Sequence, residues 1–136
     1  MPQAAGMCLL DGVRSWDATR VSCVSGSHRR TDHPLRHEGK LAAVHLLEYA
    51  AQATAVHGAL AAGVGEAPVP VKYLVAARDF VLRVARIDDV QADLCIDAER
   101  LLVMGTRAIY AFRVTAEDRL LAEGRLSVAA PEALSP

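Results

Sequence analysis

The order of apolar and polar positions predicts a short hairpin, a polar loop and one long helix in the first half of the chain. Residues 9–16 and 19–25 are two extended candidates separated by Asp17 and Ala18, and the second alternates between apolar and polar side chains. The polar stretch 26–39 has Gly at both ends and three of the five histidines, which indicates a long loop of the kind that often carries function. Residues 41–60 are apolar on nearly every face, which predicts a helix enclosed by other structure.

The second half of the chain is typical of an antiparallel meander. Turn signals at Asp88-Asp89, Met104-Gly105 and Glu117-Asp118 separate apolar runs, and Tyr110, Phe112 and Val114 alternate with more polar neighbours. We expect residues 63–70, with their Gly and Pro, to end the helix and residues 130–136 to be frayed. The predicted strands cover residues 71–77, 80–87, 90–102, 107–115 and 120–129.

These elements predict an α+β fold in which a curved antiparallel sheet wraps around a long central helix. The 136 residues fit a single domain, residues 1–136, with an ordered core over roughly residues 8–129. Because one layer of sheet covers only one side of a helix, we expect the remaining apolar surface to drive formation of a dimer or higher oligomer.

Composition and charge exclude several classes of partner. The formal net charge of -1 gives no general attraction to nucleic acid. An odd number of widely spaced cysteines, three, argues against a disulfide framework, and the first residues lack a basic signal region, so we expect a cytoplasmic protein. The apolar stretch 41–64 carries Glu48 near its middle, which disfavours membrane insertion.

His33 in the loop and Glu48 on the helix are the candidate catalytic residues. A neutral imidazole is a general base near neutral pH, and a carboxyl group kept protonated by burial is a general acid. Gln52 lies four residues after Glu48 on the same helix face, where its amide can orient the carboxylate. The alternatives are that His33 belongs to a merely polar loop, and that Glu48 pairs with a loop cation or faces solvent beside a dimer interface.

Other groups of residues are weaker candidates for a catalytic or metal-binding site. His45 and Glu48 have the spacing of metal ligands, but without a second carboxylate-rich helix we expect no metal site. His57 is predicted to be a core or interface histidine, and Cys23 and Cys95 to be small buried apolar residues. The loop arginines at positions 29, 30 and 36 are interpreted mainly as solvated charges, with binding of an acidic partner as the alternative.

The segment from His33 to Ala53 resembles the 3-hydroxyacyl-[acyl carrier protein] dehydratases of the hotdog fold. The shared features are a loop His and a helical Glu followed four residues later by Gln. The motifs HPL, EYAAQA and AVHG, with the following L-x-x-x-RD, are most similar to the branch of that family found in biosynthetic clusters for aryl polyene-type lipids. The chain departs from the main fatty-acid enzymes at Pro34-Leu35 and at Ala42-Ala43, where those enzymes have Phe-Pro and Pro-Gly.

The resemblance implies a hotdog dimer that dehydrates 3-hydroxyacyl thioesters carried by acyl carrier protein, without metal or cofactor. It implies that His33 removes the α-proton and that Glu48 of the partner subunit protonates the departing hydroxyl. The backbone N–H groups of Ala43 and Val44 would bind the thioester oxygen, and Gln52 would complete the substrate site. Two other functions stay open on the same fold: an acyl-thioesterase, and a non-catalytic module that binds an acyl carrier or another subunit.

Overall fold

The computed structural model describes residues 9–61 and 73–129, and the side chains from residue 76 onward in the second range. Its long helix, α1, lies against a six-stranded sheet in which every pair of neighbours is antiparallel. The strand order is β1-β2-β4-β5-β6-β3, so β1 and β3 form the two edges. The elements are β1 (Gly12–Trp16), β2 (Arg20–Ser25), α1 (Leu46–Ala61), β3 (Tyr73–Leu82), β4 (Leu94–Met104), β5 (Arg107–Ala116) and β6 (Arg119–Ala129).

The hydrophobic core lies between α1 and the inner face of the sheet. The helix contacts β2, β4, β5 and β6, to which it presents Tyr49 and small residues such as Ala50 and Ala53. In β5, Tyr110, Phe112 and Val114 are buried and their neighbours in sequence are not, which confirms the predicted alternation. The sequence therefore predicts correctly which face of this strand packs on the helix.

The tight turns also lie where the sequence predicts them. The Asp17 carboxylate accepts hydrogen bonds from the N–H groups of Thr19 (2.9 Å) and Arg20 (2.8 Å), which fixes the turn between β1 and β2. Gly105 joins β4 to β5 with φ 60°, a left-handed conformation that glycine adopts without strain. The meander from β4 to β6 is confirmed.

The two predicted strands 71–77 and 80–87 are wrong, because the structure has the single strand β3 in their place. Asp79 adopts φ 52° within a bulge between Arg78 and Val81, and this bends the strand without ending it. After Leu82 the chain leaves the sheet and runs along the start of the helix. There the Ala43 N–H donates to the carbonyl of Ala85, and the Ile87 N–H to that of Leu41, both at 2.9 Å.

The starts of β4 and α1 lie later in the chain than predicted. Strand β4 begins at Leu94 rather than at residue 90, because the preceding segment binds the polar loop: Arg29 donates to the carbonyl of Gln91 at 2.5 Å and pairs with Asp93. Helix α1 is preceded by a 3-10 turn, Ala43–His45, and does not begin at residue 41. The predicted helix stop at 63–70 and the tail at 130–136 lie outside the described residues.

The helix is not enclosed on every side as its composition predicts. Glu48 is exposed and Val44, just before α1, is 50% exposed, while Leu47 and Ala51, at neighbouring helical positions, are half-buried. The single sheet layer leaves this side of the helix open, as expected for a surface that a second subunit covers. Within the described ranges, no helix is long and apolar enough to cross a membrane.

Substitution of Gly124 in β6 tests the position of the bulge in β3, because β3 passes very close to this glycine. A Cβ atom at this position would lie 3.0 Å from the Phe80 Cα and 3.1 Å from the Arg78 carbonyl oxygen. We expect Gly124→Ala to lower the free energy of unfolding by about 1–3 kcal/mol through overpacking, as measured by urea denaturation.

The matched control is Gly12→Ala in β1, where an added Cβ would meet nothing within 4 Å. We expect this variant to unfold within about 0.5 kcal/mol of the wild type. Equal effects of the two substitutions would show that β3 does not approach Gly124 as described.

Candidate active site

His33 lies inside the molecule although it belongs to the polar loop. Its side chain is only 4% exposed, and both ring nitrogens have partners. The Nδ1 atom accepts a hydrogen bond from the Leu35 N–H at 3.1 Å, and Nε2 lies 3.0 Å from the Tyr49 hydroxyl on α1. The imidazole therefore bridges the loop and the helix, which differs from the alternative of a loop histidine on the surface.

A buried series of hydroxyl groups links His33 to the backbone at Leu9. The Tyr49 hydroxyl lies 2.7 Å from the Ser27 Oγ, and the Ser27 hydroxyl donates to the Leu9 carbonyl at 2.8 Å. The Ser25 hydroxyl donates to the same carbonyl. Because all three hydroxyl-bearing residues are buried, this network fixes the loop, β2 and α1 to one another.

The candidates predicted from the sequence do not include Tyr49, Ser25 or Ser27, although two signals point to these residues. Ser25 continues the inward-facing positions of Val21 and Cys23 in β2, so a polar side chain occupies a core position. Tyr49 is the single aromatic residue in a helix made largely of Ala and Leu. A polar group at a core position needs a hydrogen-bond partner, which predicts a buried network there.

Burial keeps His33 in the form of a base. Loss of solvent lowers the pKa of its imidazole, and the neighbouring positive charge of Arg36 and the imidazole of His45 lower the pKa further. Burial raises the pKa of Tyr49 to about 12, so its hydroxyl is neutral at physiological pH. The site thus contains a neutral imidazole beside a neutral phenol.

The loop arginines hold the loop in place. Arg36 donates to the carbonyl oxygens of Arg30 (2.7 Å), Gly39 (2.7 Å) and His28 (3.2 Å). Arg30 pairs with Asp32 at 3.1 Å, and Arg29 is bound to the segment before β4. All three guanidinium groups therefore have partners within the chain, and the loop that carries His33 is fixed from several directions.

Glu48 and Tyr49 are adjacent on the helix and point in different directions. Successive helical residues are about 100° apart, so Tyr49 reaches its own His33 while Glu48 faces outward. Among the described residues, Glu48 forms neither a hydrogen bond nor an ion pair with His33. The Gln52 side chain is half-buried, and its Oε1 accepts a hydrogen bond from the Leu9 N–H at 2.8 Å.

The two backbone groups at the start of the helix differ in their availability. The N–H of Ala43 donates to the carbonyl of Ala85, so it is already used. The N–H of Val44 has no acceptor among the described residues, and it belongs to the first helical turn, where N–H groups lack intrahelical partners. Of the two expected donors, only Val44 has an N–H open to a ligand.

The other residues that the sequence singles out have packing contacts and do not form a further site among the described residues. His57 is buried, with Nδ1 2.7 Å from the Tyr110 hydroxyl and Nε2 3.0 Å from the Asp17 carbonyl, so the prediction of a core histidine is confirmed. Cys23 is buried as predicted, whereas Cys95 is half-buried and contacts Arg14 at 3.2 Å. The part of the chain that the structure describes contains no cluster of side chains suited to a metal ion.

Comparison with solved structures identifies the fold. The dehydratase heterocomplex ApeI:P from Xenorhabdus doucetiae matches with a TM-score of 0.85 and 21% identity, covering 98% of this chain and 89% of that one. A hypothetical thioesterase with coenzyme A from Streptococcus pneumoniae matches with a TM-score of 0.59 and 12% identity, over 88% and 84% of the two chains. A comparison with curated protein sequences finds no match. The architecture is that of a hotdog-fold protein, which confirms the predicted fold class.

The family follows from the sequence as a whole. The model of the ApeP-like family, described as ApeP dehydratase, matches residues 1–136. The chain therefore belongs to the ApeP-like dehydratases, as its resemblance to the aryl polyene branch implies.

The buried histidines of the loop predict how stability depends on pH. His28 is fully buried, its Nε2 lies 3.0 Å from the Val90 carbonyl, and its Nδ1 has no hydrogen-bond partner. Loss of solvent lowers the pKa values of His28 and His33 below the ordinary 6.5. The unfolded chain consequently takes up protons first on acidification, and the free energy of unfolding should fall as the pH drops below about 6.5.

This dependence is measured by urea unfolding between about pH 7.5 and pH 5, above the ordinary range of carboxyl groups. His28→Gln should reduce the loss of stability on acidification, because the titrating group is removed. His37→Gln, which changes an exposed histidine, should leave that loss unchanged. Stability that stays constant or rises over this interval would contradict the burial of the two neutral imidazoles.

Proposed function

We propose that this protein dehydrates 3-hydroxyacyl thioesters carried by acyl carrier protein and forms trans-2-enoyl thioesters. Membership of the ApeP-like dehydratases supports the reaction class. The observation that carries the proposal is the placement of His33, a buried and neutral imidazole held between the loop and the helix by two hydrogen bonds. A base of this kind is what abstraction of an α-proton requires.

In the proposed reaction His33 takes the proton from the α-carbon, and the electron pair of that C–H bond moves towards the thioester carbonyl. The Val44 N–H, at the positive end of the helix dipole, stabilises the negative charge that develops on the carbonyl oxygen. The carbon–oxygen bond at the β-carbon then breaks, the α,β double bond forms, and the hydroxyl leaves as water with a proton from Glu48. The next turnover requires that His33 lose its proton and Glu48 regain one.

The proposed acid comes from a second subunit. Glu48 points away from the His33 of its own chain, because Tyr49 occupies the helix position that faces this histidine. A second subunit on the exposed side of the helix would enclose Glu48, the carboxyl group that the proposed reaction needs as its acid. We therefore assign the acid to Glu48 of a second subunit rather than to Glu48 of the chain that carries His33.

Two surfaces suit a homodimer or a higher oligomer. One is the open side of the helix with Val44 and Glu48, and the other is the edge strand β3, which pairs on one side only and exposes Val81 and Leu82. An unpaired edge strand is a ready template for pairing with another chain. The structurally similar ApeI:P is itself a heterocomplex. The proposed setting is the cytoplasm, with the acyl carrier protein as second partner and without a metal or redox cofactor.

The structural likeness to thioesterases makes hydrolysis the second candidate. In that reaction Glu48 would activate water, and free thiol and carboxylic acid would form instead of an enoyl thioester. His33 would have no direct role in this chemistry. The same substrate therefore distinguishes the two reactions, since only dehydration gives the conjugated thioester absorbance and only hydrolysis releases a thiol.

The experiment is a spectroscopic assay of enoyl thioester formation from a 3-hydroxyacyl carrier protein. We expect His33→Ala and Glu48→Gln each to lower kcat by about 100-fold or more, as for loss of a positioned acid or base, with folding unchanged by circular dichroism. His37→Gln, in the same loop but exposed, should retain wild-type activity. Thiol release by the wild type without enoyl formation would favour the thioesterase.

Mixing the two inactive variants tests whether the site is shared between subunits. In a symmetric dimer, a mixed pair of His33→Ala and Glu48→Gln chains has one intact site, so random exchange should restore about a quarter of the wild-type activity. The recovery is measured after subunits are dissociated and reassociated. Absence of recovery in a sample shown to contain mixed dimers would place both residues of a site in one chain.

A further inference from the structure

One consistent arrangement of protons satisfies the hydrogen bonds between Leu9 and His33. The Leu9 carbonyl only accepts, and the Ser27 hydroxyl donates its single proton to it at 2.8 Å. The Ser27 Oγ also lies 2.9 Å from the Ser25 Oγ and 2.7 Å from the Tyr49 hydroxyl, and with its proton on the Leu9 carbonyl it accepts from Tyr49, which uses the phenolic proton. The Tyr49 oxygen consequently accepts from His33 Nε2 across 3.0 Å.

The near end of the network gives the same answer independently. The Leu35 N–H points at His33 Nδ1 from 3.1 Å, so Nδ1 carries the lone pair of the neutral ring. The proton of the ring is therefore on Nε2, where it faces Tyr49. The opposite tautomer would direct the Nδ1–H and the Leu35 N–H at each other.

We propose that Tyr49 is a positioning residue that accepts a hydrogen bond from the protonated Nε2 of His33, orients the ring and so holds Nδ1 as the basic atom that receives the substrate proton. The inference rests on the proposed function, in which His33 is the base. On proton transfer Nδ1 acquires a hydrogen, and the Leu35 N–H must release its bond and turn away. The bond from Nε2 to Tyr49 persists in both protonation states and stabilises the imidazolium, as an orienting partner does for other catalytic histidines.

The chain offers a matched control for this pair. Tyr110 and His57 form a second buried tyrosine–histidine contact, at 2.7 Å, at the other end of the helix. Tyr49→Phe and Tyr110→Phe each remove one hydroxyl from a buried ring, so their effects on packing are comparable. Ser27→Ala is the second test variant, since it removes the acceptor of the Tyr49 proton and leaves the tyrosine in place.

The first readout is the tautomer of His33 in protein labelled with 15N-histidine, with the resonance assigned by its loss in His33→Gln. We expect the wild type to show a protonated Nε2 and an unprotonated Nδ1. In Tyr49→Phe the proton should stay on Nε2, because the Leu35 N–H still faces Nδ1, but the 15N shift of Nε2 should change with the loss of its acceptor. Ser27→Ala should give a smaller change in the same direction, and Tyr110→Phe should match the wild type at His33. An unchanged His33 spectrum in Tyr49→Phe would overturn the inference.

The second readout is the pH dependence of dehydration. Tyr49→Phe should lower kcat by about 10-fold or more at neutral pH with little change in KM, a fraction of what a positioned general base contributes. Since its imidazolium loses an acceptor, the acidic limb of the profile should move to lower pH. A profile and kcat equal to those of Tyr110→Phe would overturn the positioning role. If the wild type does not dehydrate the substrate, the proposed function fails, and the tautomer measurement decides this inference alone.

Discussion

The hydrogen bonds of Tyr49 hold together the parts of the molecule that would carry the chemistry. Its hydroxyl, on the central helix, contacts both His33 of the loop and Ser27 after β2, and Ser27 in turn binds the Leu9 carbonyl. The N–H of Leu9 binds Gln52 one helical turn further along. A buried network is stabilising only when all its members have partners, so the orientation of His33 depends on every bond in this set.

The sequence predicts those features of the fold that short-range chemistry decides. Asp17 fixes a turn through its own carboxylate, and Gly105 allows one because it has no side chain. The alternation of β5 identifies its buried face. The number of strands is not predicted correctly, because the bulge at Asp79 depends on the close approach of β3 to Gly124. Likewise the start of β4 depends on Arg29, which is distant in sequence.

In the candidate site, too, the sequence predicts local features but not those that depend on distant contacts. The resemblance identifies His33 and Glu48 as residues of interest, and the helical spacing places Gln52 near Glu48. The sequence does not indicate that Tyr49 separates the two within one chain, or that the Ala43 N–H is used by the Ala85 carbonyl. Both facts depend on how the loop and the segment after β3 pack on the start of the helix. In the proposed His–Glu pair the carboxyl group therefore comes from a second subunit.

The most direct test of the account is exchange of the α-hydrogen of a 3-hydroxyacyl thioester with solvent deuterium, followed by mass spectrometry. In the proposed reaction His33 removes this proton and Glu48 protonates the departing hydroxyl, so the two steps can be observed separately. Glu48→Gln should still exchange the α-hydrogen while forming little enoyl product, and His33→Ala should do neither. Exchange by His33→Ala at the wild-type rate would contradict the account.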